Sequence, residues 1–531
     1  MAPVQVYDWS DLADVVESVE EEKPLSPLEK EYFNGSMLEK YEPCVDVLQK
    51  LLDGDGEDDD TWNEFESHFD KFLDFSWCSN WDGKKYDLIF YGVSGYTGYL
   101  TMEYLKRVAL KKNPEKFTFA FAGRTVSKVQ EMRDREFAGT EWEDTPILRA
   151  SYDDVVSVID LAKSGHVVIN VAGPYTLAHG EVLIDACCHV GTHYCDVSGE
   201  IPWTLRTVEL HEHAKQGGAL ISPSAAVAGG WTDMLTFLCA KKAREDYGEE
   251  LRRAIVYNLG GGTGSSPSGG TLASRGAMSS APDEIRKKMA DPFTLGGFIP
   301  DVDRNGIKEV LIEHGTGRCT TKLRKEDTDA VLSKVSQCPI TGIWRAPFTY
   351  SYFNTRIIRR SNQMLADLEN KPYGRNFNFQ EFMYLPQEAI EAFAASEAGQ
   401  SGKTAVAGPS VSSEKEMLEA QGKYYKQGEG PPLEDLSDAW IAQQFVAQTT
   451  SGKEMRAALC GCDGYFETAR CAVEWAMTVR FDYDKLPHKG GVLNAMVSGQ
   501  EYFAQRLIAS GPKFRMGEWL KPEELGPLGM Y

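Results

Sequence analysis

The stretch Gly92-Val93-Ser94-Gly95-Tyr96-Thr97-Gly98 places a glycine at every third position directly after the apolar run Tyr86–Tyr91. At a strand-to-helix junction such a loop brings backbone N–H groups to a pyrophosphate. Gly92 allows the tight turn, Gly95 lets a phosphate approach the backbone, and Gly98 lets the helix pack on the strand. Ser94, Tyr96 and Thr97 ride on the same loop and join it as candidate cofactor contacts. The next apolar run ends in Phe121-Ala122-Gly123 and leads into Arg124, with Thr125, Ser127 and Lys128 close behind. A chain that binds NAD usually carries Asp or Glu there for the ribose 2′-hydroxyl. A guanidinium with no carboxylate beside it suits a 2′-phosphate instead, so NADP(H) is favoured over NAD(H). Further on, Ala172-Gly173-Pro174 would form a tight backbone ledge beside the nicotinamide ribose. Near it, Tyr175, His193, Asp196 and Glu200 are the candidate proton donors, although Asp196 and Glu200 could equally cap loops.

The elements that must position these residues follow a strand–helix rhythm. Strands are expected at Tyr86–Tyr91, Phe117–Ala122, Ile147–Ala150, His166–Val171, His193–Val197 and Ala219–Ser222, with helices between them. Continuous apolar strands separated by helices imply a parallel sheet covered on both faces, and right-handed crossovers make it a Rossmann-type doubly wound α/β fold. From about Ala225 the rhythm loosens. Arg253–Leu259 and Trp344–Arg360 read as longer strands of an α+β second domain, with Arg356, Arg359 and Arg360 on the solvated face of the latter. The expected domains are an acidic extension at 1–84, an NADP-binding domain at 85–225 and a substrate or dimerisation domain at 226–520, with a mobile loop near 399–413.

Charge bounds the partners. The net charge is −23, and Met1 to Asn80 hold 22 acidic against 5 basic residues, or −17 of it. Phosphate binding wants a basic face, so nucleic acid is excluded as a partner. No apolar run reaches the roughly 18 residues of a membrane span, and the eleven cysteines show no disulfide framework, which makes the cytoplasm the default location. Cys187-Cys188-His189, His193 and Cys195 have the residue types of a zinc site. Helical periodicity instead puts Cys187 on the apolar stripe of Val182, Leu183, Ala186 and Val190, and no metal is expected. Gly402-Lys403-Thr404 lacks the earlier glycine of a P-loop. Gly260–Gly270 reads as a turn that lines the substrate cleft.

Taken in order, YDLIFYGVSGYTG, FAFAGR, the run from Asn170 to Glu200, SGGTLAS from Ser268, RAPFTYSYFNTRIIRRS from Arg345, GEGPP, DGYFETA and RLIASGPKF resemble the saccharopine dehydrogenase-like oxidoreductases. That group includes the trans-acting enoyl reductases of mycobacterial lipid synthesis and a lipid-droplet-associated animal protein. The resemblance spans about Tyr86 to Phe514. It implies a Rossmann domain, a mixed α/β second domain and a nicotinamide cofactor, and it leaves the substrate open. Two departures stand out. Ala225–Asp233 (AAVAGGWTD) replaces a Gly-x-Asp-x-x-Pro-type stretch, with Asp233 the surviving acid. The hydrophobic segment of the animal member is absent from Asp283–Asp301, which leaves little support for a membrane or lipid-droplet location. The expected activity is NADP(H)-dependent reduction of a lipid-like or polyketide-like enoyl or carbonyl compound, with a homodimer allowed. The alternatives are a saccharopine reductase-type enzyme acting on an amino-acid semialdehyde, which needs cations such as the Arg356 cluster for its carboxylates, and a non-catalytic NADPH-binding scaffold.

Overall fold

The computed structural model describes residues 83–112, 115–262, 266–297, 308–314, 317–323, 335–395 and 411–529. The acidic extension therefore lies outside the described residues up to 82, as does the expected loop up to 410. Residues 411–413 begin a helix, Val411–Ala420.

Seven strands make the first sheet: β1 (Tyr86–Tyr91), β2 (Phe119–Gly123), β3 (Ile147–Arg149), β4 (Gly165–Asn170), β5 (His193–Asp196), β6 (Leu220–Ser222) and β15 (Gly491–Val492). Their order is β15-β6-β5-β4-β1-β2-β3, and every neighbour runs parallel. Order reverses between β1 and β4, so the helices that follow these two strands pass to opposite faces of the sheet and leave a crevice at the strands' carboxyl ends. Burial explains the unbroken apolar runs: Leu88, Ile89, Phe90, Val167, Val168 and Ile169 are all fully buried, because helices cover both faces. These helices are α1 (Tyr96–Tyr104), α2 (Val126–Phe137), α3 (Val155–Ser164), α4 (Tyr175–Ala178), α5 (Glu181–Val190), α6 (Ile201–Glu209) and α7 (His211–Gln216). The edge strand β15 comes from far along the chain, so the two halves of the molecule are not cleanly separable in sequence.

Strands β8 (Lys308–His314) and β9 (Gly317–Leu323) pair with each other, and a second large sheet is mixed, in the order β10 (Ser336–Gln337), β11 (Trp344–Ala346), β12 (Asn378–Tyr384), β7 (Leu251–Gly261), β13 (Trp440–Thr449), β14 (Glu454–Gly461) and β16 (Lys513–Met516). Its centre is β12, β7 and β13. Helices α8 (Thr232–Tyr247), α9 (Gly269–Ser279), α10 (Asp283–Ala290), α11 (Ser351–Glu369), α12 (Gly464–Asp482) and α13 (Ala495–Ala509) complete the second half. One apolar core joins the two sheets. Val167, Ile169 and Cys195 of the first share it with Ala254 and Val256 of the second, through Trp231, Met234, Phe466 and Trp475 of the helical layer. Each large side chain buried there contributes roughly 1.5–3 kcal/mol.

The expected strand Trp344–Arg360 is corrected. Only Trp344–Ala346 is a strand, and after Pro347 the chain turns into the 19-residue helix α11. Phe353, Ile357 and Leu365 recur at helical spacing on its buried face, a periodicity that the β-branched and aromatic composition had masked. Its arginines are not solvated either: Arg356, Arg359 and Arg360 are 0%, 7% and 8% exposed. Arg356 donates to the carbonyls of Met289 (3.1 Å) and Ala290 (3.3 Å), Arg359 to Pro292 (3.0 Å), and Arg360 to Leu295 (3.3 Å) and Val492 (3.0 Å). Met289 and Ala290 are the last residues of α10, whose unpaired carbonyls and dipole favour a cation. Asp233 is likewise structural. It is fully buried, accepts from Ser361 Oγ (2.6 Å) and Tyr373 Oη (2.7 Å), and burial pushes its carboxyl up to about 7.

Candidate functional site

The crevice at the carboxyl ends of β1 and β4 is one wall of a cleft of about 1980 Å³, whose other wall belongs to the second half of the chain. Gly92 takes φ +89°, and an added Cβ would stand 2.6 Å from Ala172 Cβ, so the loops after β1 and β4 touch backbone to backbone. At Gly98 an added Cβ would lie 2.5 Å from Val93 Cα, which seats α1 directly on the turn. Gly95 differs from both. Its φ of −87° suits any residue, and an added Cβ would meet only Gly92 O, at 3.6 Å. Packing does not require this glycine. The space it leaves is at the N-terminus of α1, which has no side-chain cap and no acidic residue in its first turn. Unpaired N–H groups and a positive helix end face the cleft there, which is what a pyrophosphate needs.

Ser94, Gly95, Tyr96 and Thr97 line the cleft together with Gly92, whereas Gly98 lies behind them. Tyr96 also ties the two walls together: its hydroxyl donates to Pro431 O at 2.8 Å, and its ring meets Tyr465 edge-on at 5.2 Å between centroids. At the end of β2, Arg124 is exposed and lines the cleft with Thr125 and Lys128. Asp153, across from Arg124, lines the same corner, and its carboxyl is lowered first by a hydrogen bond from Ser151 and in smaller part by Arg124. The ledge Ala172-Gly173-Pro174 is also in the cleft wall. Asn170 sets its position, accepting from Ala172 N (2.9 Å) while its amide donates to Tyr152 Oη and Tyr194 Oη, both at 3.0 Å.

The four candidate proton donors fare differently. His193 does not reach the cleft, because it begins β5 and therefore stands at the amino edge of the parallel sheet. Its Nδ1 accepts from Leu220 N at 3.0 Å, and its ring stacks on Tyr483. Burial first, then Lys84 and other nearby cations, push it down to about 3. Asp196 sits at the right edge but faces inward, fully buried and outside the cleft lining. It accepts from Ser198 N (3.0 Å), Ser224 N (2.9 Å), Trp203 Nε1 (2.8 Å) and Tyr194 Oη (3.1 Å). Burial raises it to about 6 against the pull of those bonds. Tyr175 lines the cleft, yet its hydroxyl donates to Asn170 O at 2.8 Å. Glu200 lines it too. It accepts from Tyr175 N (3.1 Å), Thr176 N (2.8 Å) and Ser274 Oγ (2.7 Å), so it caps the first turn of α4.

Of the opposite wall, sequence reasoning found the Gly260–Gly270 turn, whose Gly260, Gly261, Ser268 and Gly270 line the cleft, and missed the side chains beside it. Asn258 of β7, Gln443 of β13 and Asn354 of α11 line it, with Glu381 of β12 buried behind them. Asn258 and Gln443 face each other in register across β7 and β13. Glu381 accepts from Asn258 Nδ2 (3.0 Å) and from Asn354 Nδ2 (2.8 and 3.1 Å), and burial lifts its carboxyl to about 7. Gln443 Nε2 donates to Thr232 Oγ1 and Asn258 Oδ1, both at 3.0 Å, while its buried Oε1 has no partner. Tyr465 completes this wall, its hydroxyl accepting from Ser268 N (2.6 Å) and sharing a bond with Thr271 (3.0 Å). The only available signals were polar residues inside otherwise apolar runs.

Comparison with known proteins agrees with this geometry. Residues 88–221 match the saccharopine dehydrogenase NADP binding domain. A Mycobacterium tuberculosis protein provisionally named a trans-acting enoyl reductase is 28% identical over 442 residues, covering 81% of this chain and 96% of its own. The trans-acting enoyl reductase of Mycobacterium leprae is 27% identical over 440 residues, covering 81% and 97%. The apo saccharopine dehydrogenase of Saccharomyces cerevisiae aligns over 81% of this chain and 99% of its own at 13% identity and a TM-score of 0.42, a loose likeness only. With a glycine loop, an open helix terminus and a doubly wound sheet all within the matched segment, residues 88–221 are an NADP-binding domain of the saccharopine dehydrogenase type, and the chain as a whole is similar to the trans-acting enoyl reductases.

Proposed function

We propose that the protein is an NADP(H)-dependent reductase of enoyl or carbonyl groups on a lipid-like or polyketide-like substrate. The observation that carries this reading is the character of the wall facing the cofactor loops. Among the described residues it offers neutral hydrogen-bonding groups and aromatic rings (Asn258, Gln443, Asn354, Tyr350, Tyr465, Trp440) rather than free cations. Arg206 and Arg275, which also line the cleft, are each paired with a carboxylate, Glu181 and Glu414. The Arg356 cluster is spent on main-chain carbonyls. A substrate carrying several carboxylates, as the semialdehyde reading requires, would find little to hold it. The names of the mycobacterial relatives support the same choice.

When bound, NADPH supplies the hydride. The N-terminus of α1 holds the pyrophosphate, and Arg124 with Lys128 holds the 2′-phosphate against the competing charge of Asp153. Ala172–Pro174 and Glu200 back the nicotinamide end, and the second wall covers it from water. Gln443 Oε1 accepts a donor from the substrate and orients it. Because the hydroxyl of Tyr175 and the carboxylates of Asp196 and Glu200 are committed to structural bonds, the proton comes from Tyr465 of the second wall, whose hydroxyl accepts from Ser268 N and keeps its own proton when Thr271 Oγ1 donates in their shared bond.

The test is NADPH oxidation, followed optically, against long-chain enoyl-thioesters, ketones, and a semialdehyde with glutamate. Turnover of the first two classes alone is expected. Tight NADPH binding with no oxidation by any of them would favour a non-catalytic NADPH-binding scaffold, and turnover only with the semialdehyde and glutamate would overturn the lipid-like assignment.

A further inference from the structure

We infer that Asp185, His189 and His213 form a site for a borderline divalent cation of the zinc type, remote from the cofactor cleft. Asp185 and His189 lie one turn apart on α5, and His213 projects from α7. His213 Nδ1 is 2.5 Å from Asp185 Oδ1, and His189 Nε2 is 4.0 Å from the same oxygen. The two imidazoles meet edge to face with centroids 4.2 Å apart, and the three ligand atoms all fall within 4.8 Å of one another. Ligands held at about 2.0–2.1 Å around a tetrahedral ion stand about 3.3 Å apart, so shifts below about 1 Å convert this cluster into three sides of such a site.

The helices are set for it. An added Cβ at Gly217, just past α7, would lie 1.8 Å from Cys188 O, so the end of α7 is pressed onto the backbone of α5 beside the two histidines. Asp185 is fully buried, whereas the His189 and His213 side chains are 14% and 26% exposed, leaving an approach for the ion and room for a water as fourth ligand. Two imidazoles and one carboxylate suit zinc, cobalt or nickel rather than magnesium or calcium. The cysteines that had suggested zinc take no part: Cys187, Cys188 and Cys195 are buried, and burial raises the thiols of all three. Glu181 opens α5 in the cleft wall, and His189 lies two turns on, about 12 Å along the axis. An ion there staples α5 to α7 behind the cofactor domain and does not touch the transferred hydride.

The test uses the tag-free full chain, stripped with a chelator and titrated with Co2+ and Zn2+. One ion per chain is expected, with a cobalt d–d band free of thiolate charge transfer and a raised Tm. His189→Ala and His213→Ala should each weaken binding at least about tenfold and leave NADPH affinity unchanged, which also reports that the variants are folded. His211→Ala should bind metal as the natural chain does. Failure of the natural chain to take up either ion, a thiolate charge-transfer band, or undiminished uptake by the double histidine variant would overturn the site.

Discussion

The two walls of the cleft are made differently. The first is backbone: glycines, an uncapped helix end and the Ala172–Pro174 ledge, with few side chains involved. The second is side chain: Asn258, Asn354 and Gln443 come from three distant stretches, the first two held by Glu381 and Gln443 held by Asn258 and Thr232. On the proposed function, the backbone wall recognises what is common to every turnover, the phosphates of a cofactor. A side-chain wall can change residue by residue without disturbing the sheet, and it is where a family of shared fold diversifies its substrates.

The sharpest way to break the comparison is Gly95→Val. The space around Gly95 is open to protein atoms, so the variant should fold with an unchanged Tm, while its side chain occupies the phosphate position. NADPH affinity should fall by at least about a hundredfold, or roughly 3 kcal/mol, in a fluorescence titration. A variant that still binds NADPH normally would remove the pyrophosphate assignment.

Arg124→Ala comes next. One charge-assisted hydrogen bond contributes about 1.5–3 kcal/mol, so NADPH binding should weaken by about ten- to a hundredfold and NADH binding hardly at all. Equal losses for both cofactors would reassign Arg124 to the fold.

Glu381→Gln probes the second wall through pH. With its native carboxyl near 7 and an unfolded value of about 4.3, the native state keeps a proton that the unfolded state releases. The favourable contribution is full below about pH 4.3 and declines as pH rises to about 7, at no more than about 1.4 kcal/mol per pH unit. The variant lacks this decline, so the stability gap between the natural chain and Glu381→Gln, measured by urea titration, should narrow over that window. A constant gap would mean that Glu381 is ionised throughout.

The smallest effect belongs to Gln443→Ala. Removing one neutral hydrogen-bond partner costs about 0.5–1.5 kcal/mol, seen as a two- to tenfold rise in KM for whichever enoyl or carbonyl substrate is turned over, with NADPH affinity unchanged. A parallel loss of NADPH affinity would show that the two walls do not divide the work.

How much was legible follows from the range of the forces involved. The glycine spacing, the strand-to-helix rhythm through Ser222 and the residue closing β2 are local: turn conformation, side-chain periodicity and the first turn of a helix are set by residues a few positions apart. The sequence by itself therefore determined the doubly wound sheet and the glycine turn at which the phosphate site is proposed. Which end of a strand a side chain occupies and what it meets there are non-local. Tertiary structure alone put His193 at the amino edge, turned Asp196 inward onto four donors, and aimed the arginines of α11 at the carbonyls ending α10. It also assembled Asn258, Asn354 and Gln443 into one wall, and brought His213 to Asp185 from another helix. Those pairings depend on how sheets and helices pack across hundreds of residues, and a buried polar group takes whatever partner the packing delivers, because leaving it unpaired costs more than any local preference.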